Sequence, residues 1–328
     1  MTRPVFPEAV RRLEEVAEVI APQDGQGFSR EEIRERIRGR EGILSQLLDR
    51  VDAELMDLAG TLRVIGNCAV GFDNVDVQAA TRRGIQVSNT PGVLTEATAD
   101  LTWALILSVS RKVVIGDTVV RGGGFHGWGL MDFLGQELCG ATLGILGMGR
   151  IGQAVARRAL GFRMRVVYCT RSDGALSLWG EALLTPDFDF GPHRVDLGTL
   201  LRESDFLSIH VPLNADTRHL IGWEELSQMK RTAFLVNTSR GKVVDERALV
   251  RALREKRIAG AGLDVYENEP DLAQGLTGLD NAVLLPHIGS ATRQTRLRMA
   301  MTAVENIVAG LKGERVPNLV NTELFEHA

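Results

Sequence analysis

The chain has 328 residues, enough for two domains, and its 44% hydrophobic and 24% charged content is that of an ordinary globular protein. A net charge of −4 offers no basic footprint for nucleic acid or an anionic membrane, and no apolar run approaches the roughly 20 residues a bilayer span needs. The start, Met1-Thr2-Arg3-Pro4, has no signal-peptide pattern, and Cys68, Cys139 and Cys169 lack metal-ligand spacing. The expectation is a cytoplasmic protein with reduced core thiols and no metal site.

Pro7 opens a helix with an apolar stripe of Val10, Leu13 and Val16. Ser29-Arg30-Glu31-Glu32 is a capping box ahead of Ile33 and Ile37. Strands are expected at 42–48, 62–65 and 85–87, with helices at 53–58 and 75–83 between them. This alternation argues for parallel βα units. Residues 95–110 read as a helix apolar nearly all round, buried by its own chain or by a second subunit. Residues 121–138, where Phe125, Trp128 and Phe133 stand among glycines, read as an irregular arm. Such an arm suits a dimer contact, a pocket wall, or a loop tucked on its own domain.

Residues 142–146 form an apolar run that reads as a buried strand. Gly147, Gly149 and Gly152 follow at G-x-G-x-x-G spacing, and 153–160 reads as a helix. The first glycine permits the tight turn, the second lets a pyrophosphate approach the backbone, and the third lets helix pack on strand. The helix N-terminus presents N–H groups to the phosphates. A second strand covers 165–169, and 172–196 reads as a long surface excursion. Strands at 206–211, 232–237, 259–265 and 282–285 then alternate with helices at 197–203, 224–229 and 246–255, and a long helix at 292–311 closes the chain.

In doubly wound sheets ligands bind at the carboxyl ends of strands. Polar clusters fall there at 237–241, 264–270 and 286–290. An Arg, a Glu and a His converging from three strand ends suit reduction of a 2-keto acid. Arg clamps a carboxylate with a planar fork, His donates a proton to the oxygen, and a carboxylate beside it favours the protonated imidazole. NAD enzymes place an acid about 20 residues past the glycine turn to hold the ribose 2′-hydroxyl. Here the strand ends in Tyr168-Cys169-Thr170-Arg171-Ser172, with no acid before Asp173. Arg171 can pair with a 2′-phosphate and Thr170 and Ser172 can add hydroxyl donors, so the expectation is NADP(H) preferred, with NAD(H) also accepted.

At 69–76, 89–100, the glycine turn, 237–241, 262–270 and 285–292, the sequence resembles the D-isomer-specific 2-hydroxyacid dehydrogenases, with the glyoxylate/hydroxypyruvate reductases as its nearest likeness. The resemblance runs over nearly the whole chain. It implies an α/β fold with parallel sheets, a flavodoxin-like substrate domain at 1–92 and 291–328, and a Rossmann dinucleotide-binding domain inserted at 93–290. It places the catalytic trio on Arg240, Glu269 and His287, choosing Glu269 over Glu267 because it stands just before a proline. Val70 and Gly71 would hold the substrate carboxylate by their backbone, with Ser290 also at the substrate. Asp264 would bind the nicotinamide carboxamide, Arg150 and Ile151 the pyrophosphate, and Val211, Pro212 and Thr217 would line the adenosine side. Thr95, Thr238 and Gly289 would complete the cofactor contacts.

The likeness also implies a homodimer, with the helix from Thr95 and the arm around Trp128 at the contact and Trp128, Leu130 or Met131 limiting substrate size. Two departures stand out. Met1 directly precedes Thr-Arg-Pro, so the first strand of the substrate domain is expected to be short or frayed. The 172–196 excursion is longer than the family pattern. The alternatives within reach are relatives acting on D-lactate, phosphoglycerate or phosphite, and a non-enzymatic, dinucleotide-sensing corepressor-like scaffold.

Overall fold

A computed structural model describes residues 1–22, 25–171 and 192–326. The chain divides into two compact units, Met1–Leu94 with Ser290–Ala328, and Thr95–Gly289.

The first unit begins with helix α1 (Pro7–Glu14) and helix α2 (Arg30–Arg36). The capping box forms: Ser29 Oγ accepts from Glu32 N at 3.2 Å, and Glu32 Oε2 accepts from Ser29 N at 2.8 Å. Strands β1 (Gly42–Ser45), β2 (Val64–Asn67) and β3 (Gln86–Ser88) make a parallel sheet in that order, separated by α3 (Ala53–Ala59) and α4 (Val77–Arg82). Residues 1–6 form no regular element. Thr2 alone lies along β1, its N–H donating to the Leu44 carbonyl at 3.0 Å while its own carbonyl accepts from Phe28 at 2.8 Å.

The second unit opens with α5 (Thr95–Ser110), and α6 (Val113–Arg121) follows directly. Strands β4 (Thr142–Leu146), β5 (Arg165–Cys169), β6 (His193–Arg194), β7 (Phe206–Ile209), β8 (Phe234–Asn237), β9 (Gly260–Leu263) and β10 (Ala282–Leu284) form one parallel sheet. Its order is β10-β9-β8-β7-β4-β5-β6, so the winding reverses beside β4, the Rossmann arrangement. Helices α7 (Arg150–Ala159), α8 (Leu197–Glu203), α9 (Trp223–Gln228) and α10 (Glu246–Arg254) connect the strands. Two apolar cores form. Trp103, Leu143, Phe206 and Val236 belong to one, and Leu200, Leu207, Leu235 and Leu249 to the other.

The last helix, α11 (Arg293–Leu311), is capped by Thr292 and packs on β1 and β2 of the first unit. It lies very close to β2. A Cβ at Gly66 would stand 2.7 Å from Ile307, and one at Gly310 would stand 2.6 Å from Val64. Ile33, Leu55, Ile65 and Val87 form one core of this unit, and Leu44, Val64, Val304 and Ile307 the other. Asn321 then locks β3, accepting from Val87 N at 2.8 Å and donating to the Ile85 carbonyl at 2.9 Å.

One expectation is narrowed and three change. Half of the 16 residues of α5 are buried, and the helix packs on α7, β8 and β9, with the Trp103 indole donating to the Val155 carbonyl at 3.0 Å. Its buried half thus packs inside its own unit, while Leu101 and Leu107 are half-buried and Ala104 is exposed. Several large exposed apolar residues stand on α6, a helix the sequence pattern did not reveal, and on the arm beyond it, among them Val113, Val120, Phe125, Trp128, Leu130 and Met131. Cys139 is exposed rather than in the core, because its neighbours Leu138 and Ala141 take the buried side of the loop before β4; Cys68 and Cys169 are half-buried, and all three are free thiols. Within the expected excursion, His193 and Arg194 pair in parallel with Val167 and Tyr168 as strand β6, while residues 172–191 lie outside the described residues.

Candidate active site

Strands β8, β9 and β10 are neighbours, so the loops after them leave the sheet side by side. The loop after β8 carries Arg240. Asn237 closes it as a side-chain-mimicked turn, accepting from Ser239 N at 3.0 Å and donating to the Arg240 carbonyl at 3.0 Å. The next residue, Gly241, lies against the Tyr266–Glu267 peptide so closely that a Cβ there would overlap it.

The loop after β9 carries Asp264 and Glu269. Asp264 is buried, and its two oxygens accept from Ile288 N and Gly289 N at 2.7 Å each. Glu269 Oε1 accepts from Tyr266 N at 3.0 Å, and the Tyr266 hydroxyl donates to the Leu285 carbonyl at 2.8 Å. The loop after β10 carries His287, whose φ of +54° is left-handed, an uncommon state for a side-chain-bearing residue. Asp264, gripping the two N–H groups that follow, holds it there. His287 Nδ1 stands 2.8 Å from Glu269 Oε2. Glu267, the other acid of the run, pairs with His219 at 2.8 Å instead.

Charge follows the same ties. Burial pushes the Glu269 carboxyl up, but the His287 hydrogen bond and charge, the Tyr266 N–H and the Arg240 charge outweigh it and hold it below its ordinary value. Burial pushes the Asp264 carboxyl above its ordinary value, against the N–H groups of Ile288 and Gly289. Burial also pushes the Tyr266 phenol up to about 12, with the neighbouring acids adding to it, so it stays a neutral donor.

At the end of β4 the three glycines answer different demands. Gly147 has φ +98°, and a Cβ on it would meet the His210 backbone at 2.8 Å. Gly152 faces the Gly147 carbonyl, which a Cβ would overlap. Gly149 needs neither a special φ nor room from a neighbour: its φ is −75° and nothing lies within 4 Å of where its Cβ would be. Its bare backbone instead leaves open space at the start of α7, beside Arg150 and Ile151. That is the cradle a pyrophosphate requires, so the residues present fit a dinucleotide.

Around it, Thr170 follows β5, its carbonyl accepting from Arg194 at 2.9 Å, and Arg171 pairs with Asp216 at 2.7 Å. Ser172 lies outside the described residues. Beyond β7, Val211 leans toward Gly147, while the buried Thr217 works within its own turn, donating to the Pro212 carbonyl at 2.6 Å. Thr238 is buried with its hydroxyl 2.9 Å from that of Thr102, and Thr95 starts α5. Gly289 sits under Asp264. In the first unit, the Val70 and Gly71 carbonyls accept from the side-chain amides of Asn89 and Asn67, at 2.8 and 2.9 Å, in the turn after β2. Ser290 begins that unit's second segment. Sequence reasoning gave no role to Tyr266 or Asn237, and no spacing rule marks either.

A family profile described as D-isomer specific 2-hydroxyacid dehydrogenase, NAD binding domain, matches residues 103–289. A glyoxylate reductase of Aeropyrum pernix is 50% identical, with 99% of this chain and 96% of the relative covered. The chain belongs to the D-isomer specific 2-hydroxyacid dehydrogenases. As a member of that family it is an NAD(P)-dependent oxidoreductase. Among solved structures, a protein of Thermus thermophilus superposes with a TM-score of 0.87 at 47% identity, covering 97% of this chain and 98% of its own. An NADPH-dependent glyoxylate/hydroxypyruvate reductase of Sinorhizobium meliloti, in complex with NADP and malonate, superposes with a TM-score of 0.80 at 32% identity, covering 97% and 95%.

Proposed function

We propose that this dehydrogenase reduces small 2-keto acids of the glyoxylate and hydroxypyruvate type to D-2-hydroxy acids, with NADPH preferred over NADH. The observation that carries the reading is the Glu269–His287 pair, held on loops tied to that of Arg240. Arg240 binds the substrate carboxylate through its planar fork and polarises the adjacent carbonyl. The backbone at Gly147, Gly149 and Gly152 would hold a dinucleotide, which when bound would supply the hydride. As the carbonyl carbon gains its C–H bond, the π pair moves to oxygen, and His287 delivers the proton there. Its Nδ1 is committed to Glu269, so Nε2 is the nitrogen that donates. Glu269 stays ionised and holds the imidazole by Nδ1; in reduction His287 gives up the proton, and in the reverse direction it takes one. Asp264 keeps the His287 loop in its strained form.

The second unit is read as the cofactor domain and the first as the substrate-binding domain, with the turn at Val70 and Gly71 supplying backbone to a carboxylate. The exposed apolar residues of α6 and the arm support a homodimer, and three free thiols suit the cytoplasm. The test is turnover of glyoxylate and hydroxypyruvate by the purified protein with NADPH and with NADH. Tight cofactor binding without turnover of either acid would leave a dinucleotide-sensing scaffold in place of an enzyme.

A further inference from the structure

Strands β5 and β7 are the two neighbours of β4 in the sheet. Arg171 stands just past the end of β5, and Asp216 stands in the 212–217 turn past β7. Their side chains meet at 2.7 Å, so the ion pair passes over the end of β4, from one lip of the dinucleotide crevice to the other. Both side chains are 72% exposed, and a pair so exposed adds little to stability. The turn carrying Asp216 is nonetheless firmly built: Asn214 Oδ1 accepts from Asp216 N and Thr217 N at 2.9 and 3.0 Å, and the Thr217 hydroxyl is buried on the Pro212 carbonyl. The carboxylate is thus presented at a fixed place, facing the cation at the end of the second Rossmann strand, where the ribose 2′ position is read.

We infer that Asp216 is a specificity-determining residue, competing with a 2′-phosphate for Arg171 and so limiting the preference for NADPH over NADH. The inference rests on Arg171 being the 2′-phosphate ligand. A 2′-phosphate carries about −2 near neutral pH, so it must displace Asp216 from Arg171 and sit beside a like charge. A 2′-hydroxyl is neutral. It leaves the pair intact and can donate a hydrogen bond to the carboxylate. One clasp therefore admits both cofactors while holding the gap between them down.

The experiment is fluorescence titration of NADPH and NADH into wild type, Asp216→Asn, Arg171→Ala and the double variant. At low salt the ratio of the NADPH to the NADH dissociation constant falls about fivefold in Asp216→Asn; this change diminishes as salt screens the charges, and it is smaller when Arg171 is already Ala, where only the like-charge repulsion is left to relieve. If Arg171→Ala selectively weakens NADPH while Asp216→Asn leaves the ratio unchanged or raises it, the competition is overturned and the 2′-phosphate reading of Arg171 stands. If Arg171→Ala does not weaken NADPH selectively, that reading fails and the competition with it.

Discussion

The backbone of Gly241 lies against the carbonyl of Tyr266 with no room for a side chain between them. This contact joins the loop of Arg240 to the loop of Glu269, so the spacing of two functional groups rests on the absence of one methyl group. In Gly241→Ala both loops must part. Expected results are a loss of about 1–3 kcal/mol in denaturant unfolding and a fall in kcat/KM for glyoxylate larger than that stability loss explains at assay temperature. Wild-type stability and kinetics together would show that the contact is slack.

Glu269→Gln keeps the shape of the side chain and removes its charge. His287 Nδ1 then loses the carboxylate that orients it, so kcat/KM for reduction of glyoxylate falls by roughly tenfold or more. Stability depends on pH through the same carboxyl. The folded-state carboxyl of Glu269 is held below its ordinary value of 4.5, so its contribution is present above that value and is lost as pH falls through the depressed one. The unfolding free energies of wild type and Glu269→Gln should converge as pH falls below 4.5. Unchanged kcat/KM in Glu269→Gln would make the pair structural only.

Arg240→Lys retains the charge but not the fork. The loss of one charge-assisted hydrogen bond, about 1.5–3 kcal/mol, corresponds to a fall in kcat/KM of roughly tenfold or more. Steady-state kinetics close to wild type would remove Arg240 from the substrate carboxylate.

Trp128 is 84% exposed, with Leu130 and Met131 beside it, on a surface that a lone molecule would leave to water. Light scattering at micromolar concentration should give twice the chain mass, and Trp128→Asp combined with Met131→Asp should shift it toward the monomer. A monomeric wild type would end the dimer reading.

The glycine turn was legible in the sequence because a strand before and a helix after it narrow its meaning. The alternation of strands and helices, and with it the α/β class, was legible from hydrophobic period alone. Edges were not. Strand β2 continues to Asn67, a buried polar residue whose amide serves the Gly71 carbonyl, whereas the apolar pattern stops at Ile65. Helix α6 contains four valines, a threonine and Gly116 among its nine residues, poor helix formers that give no signal. Two residues, as in β6, are too few to show a period. The pairing of Glu269 with His287 joins residues 18 apart on different loops, and only the family likeness could pick Glu269 over Glu267. The two N–H groups that occupy Asp264, and the Arg171–Asp216 bridge, arise from strand order, which no local pattern contains.

The first unit is made from both ends of the chain, and this orders its assembly in time. During synthesis the residues of β1, β2 and β3 emerge first, but the helix that covers Val64 and Gly66 emerges only after the 195 residues of Thr95–Gly289. That middle stretch is contiguous and carries its own cores, so it can complete itself while the earlier sheet still waits. Until α11 arrives, β2 presents a bare apolar face, and until Asn321 arrives β3 lacks its lock. The nascent chain thus passes through a stage with one finished half and one adhesive half, and its yield in a cell is set by how briefly that stage lasts.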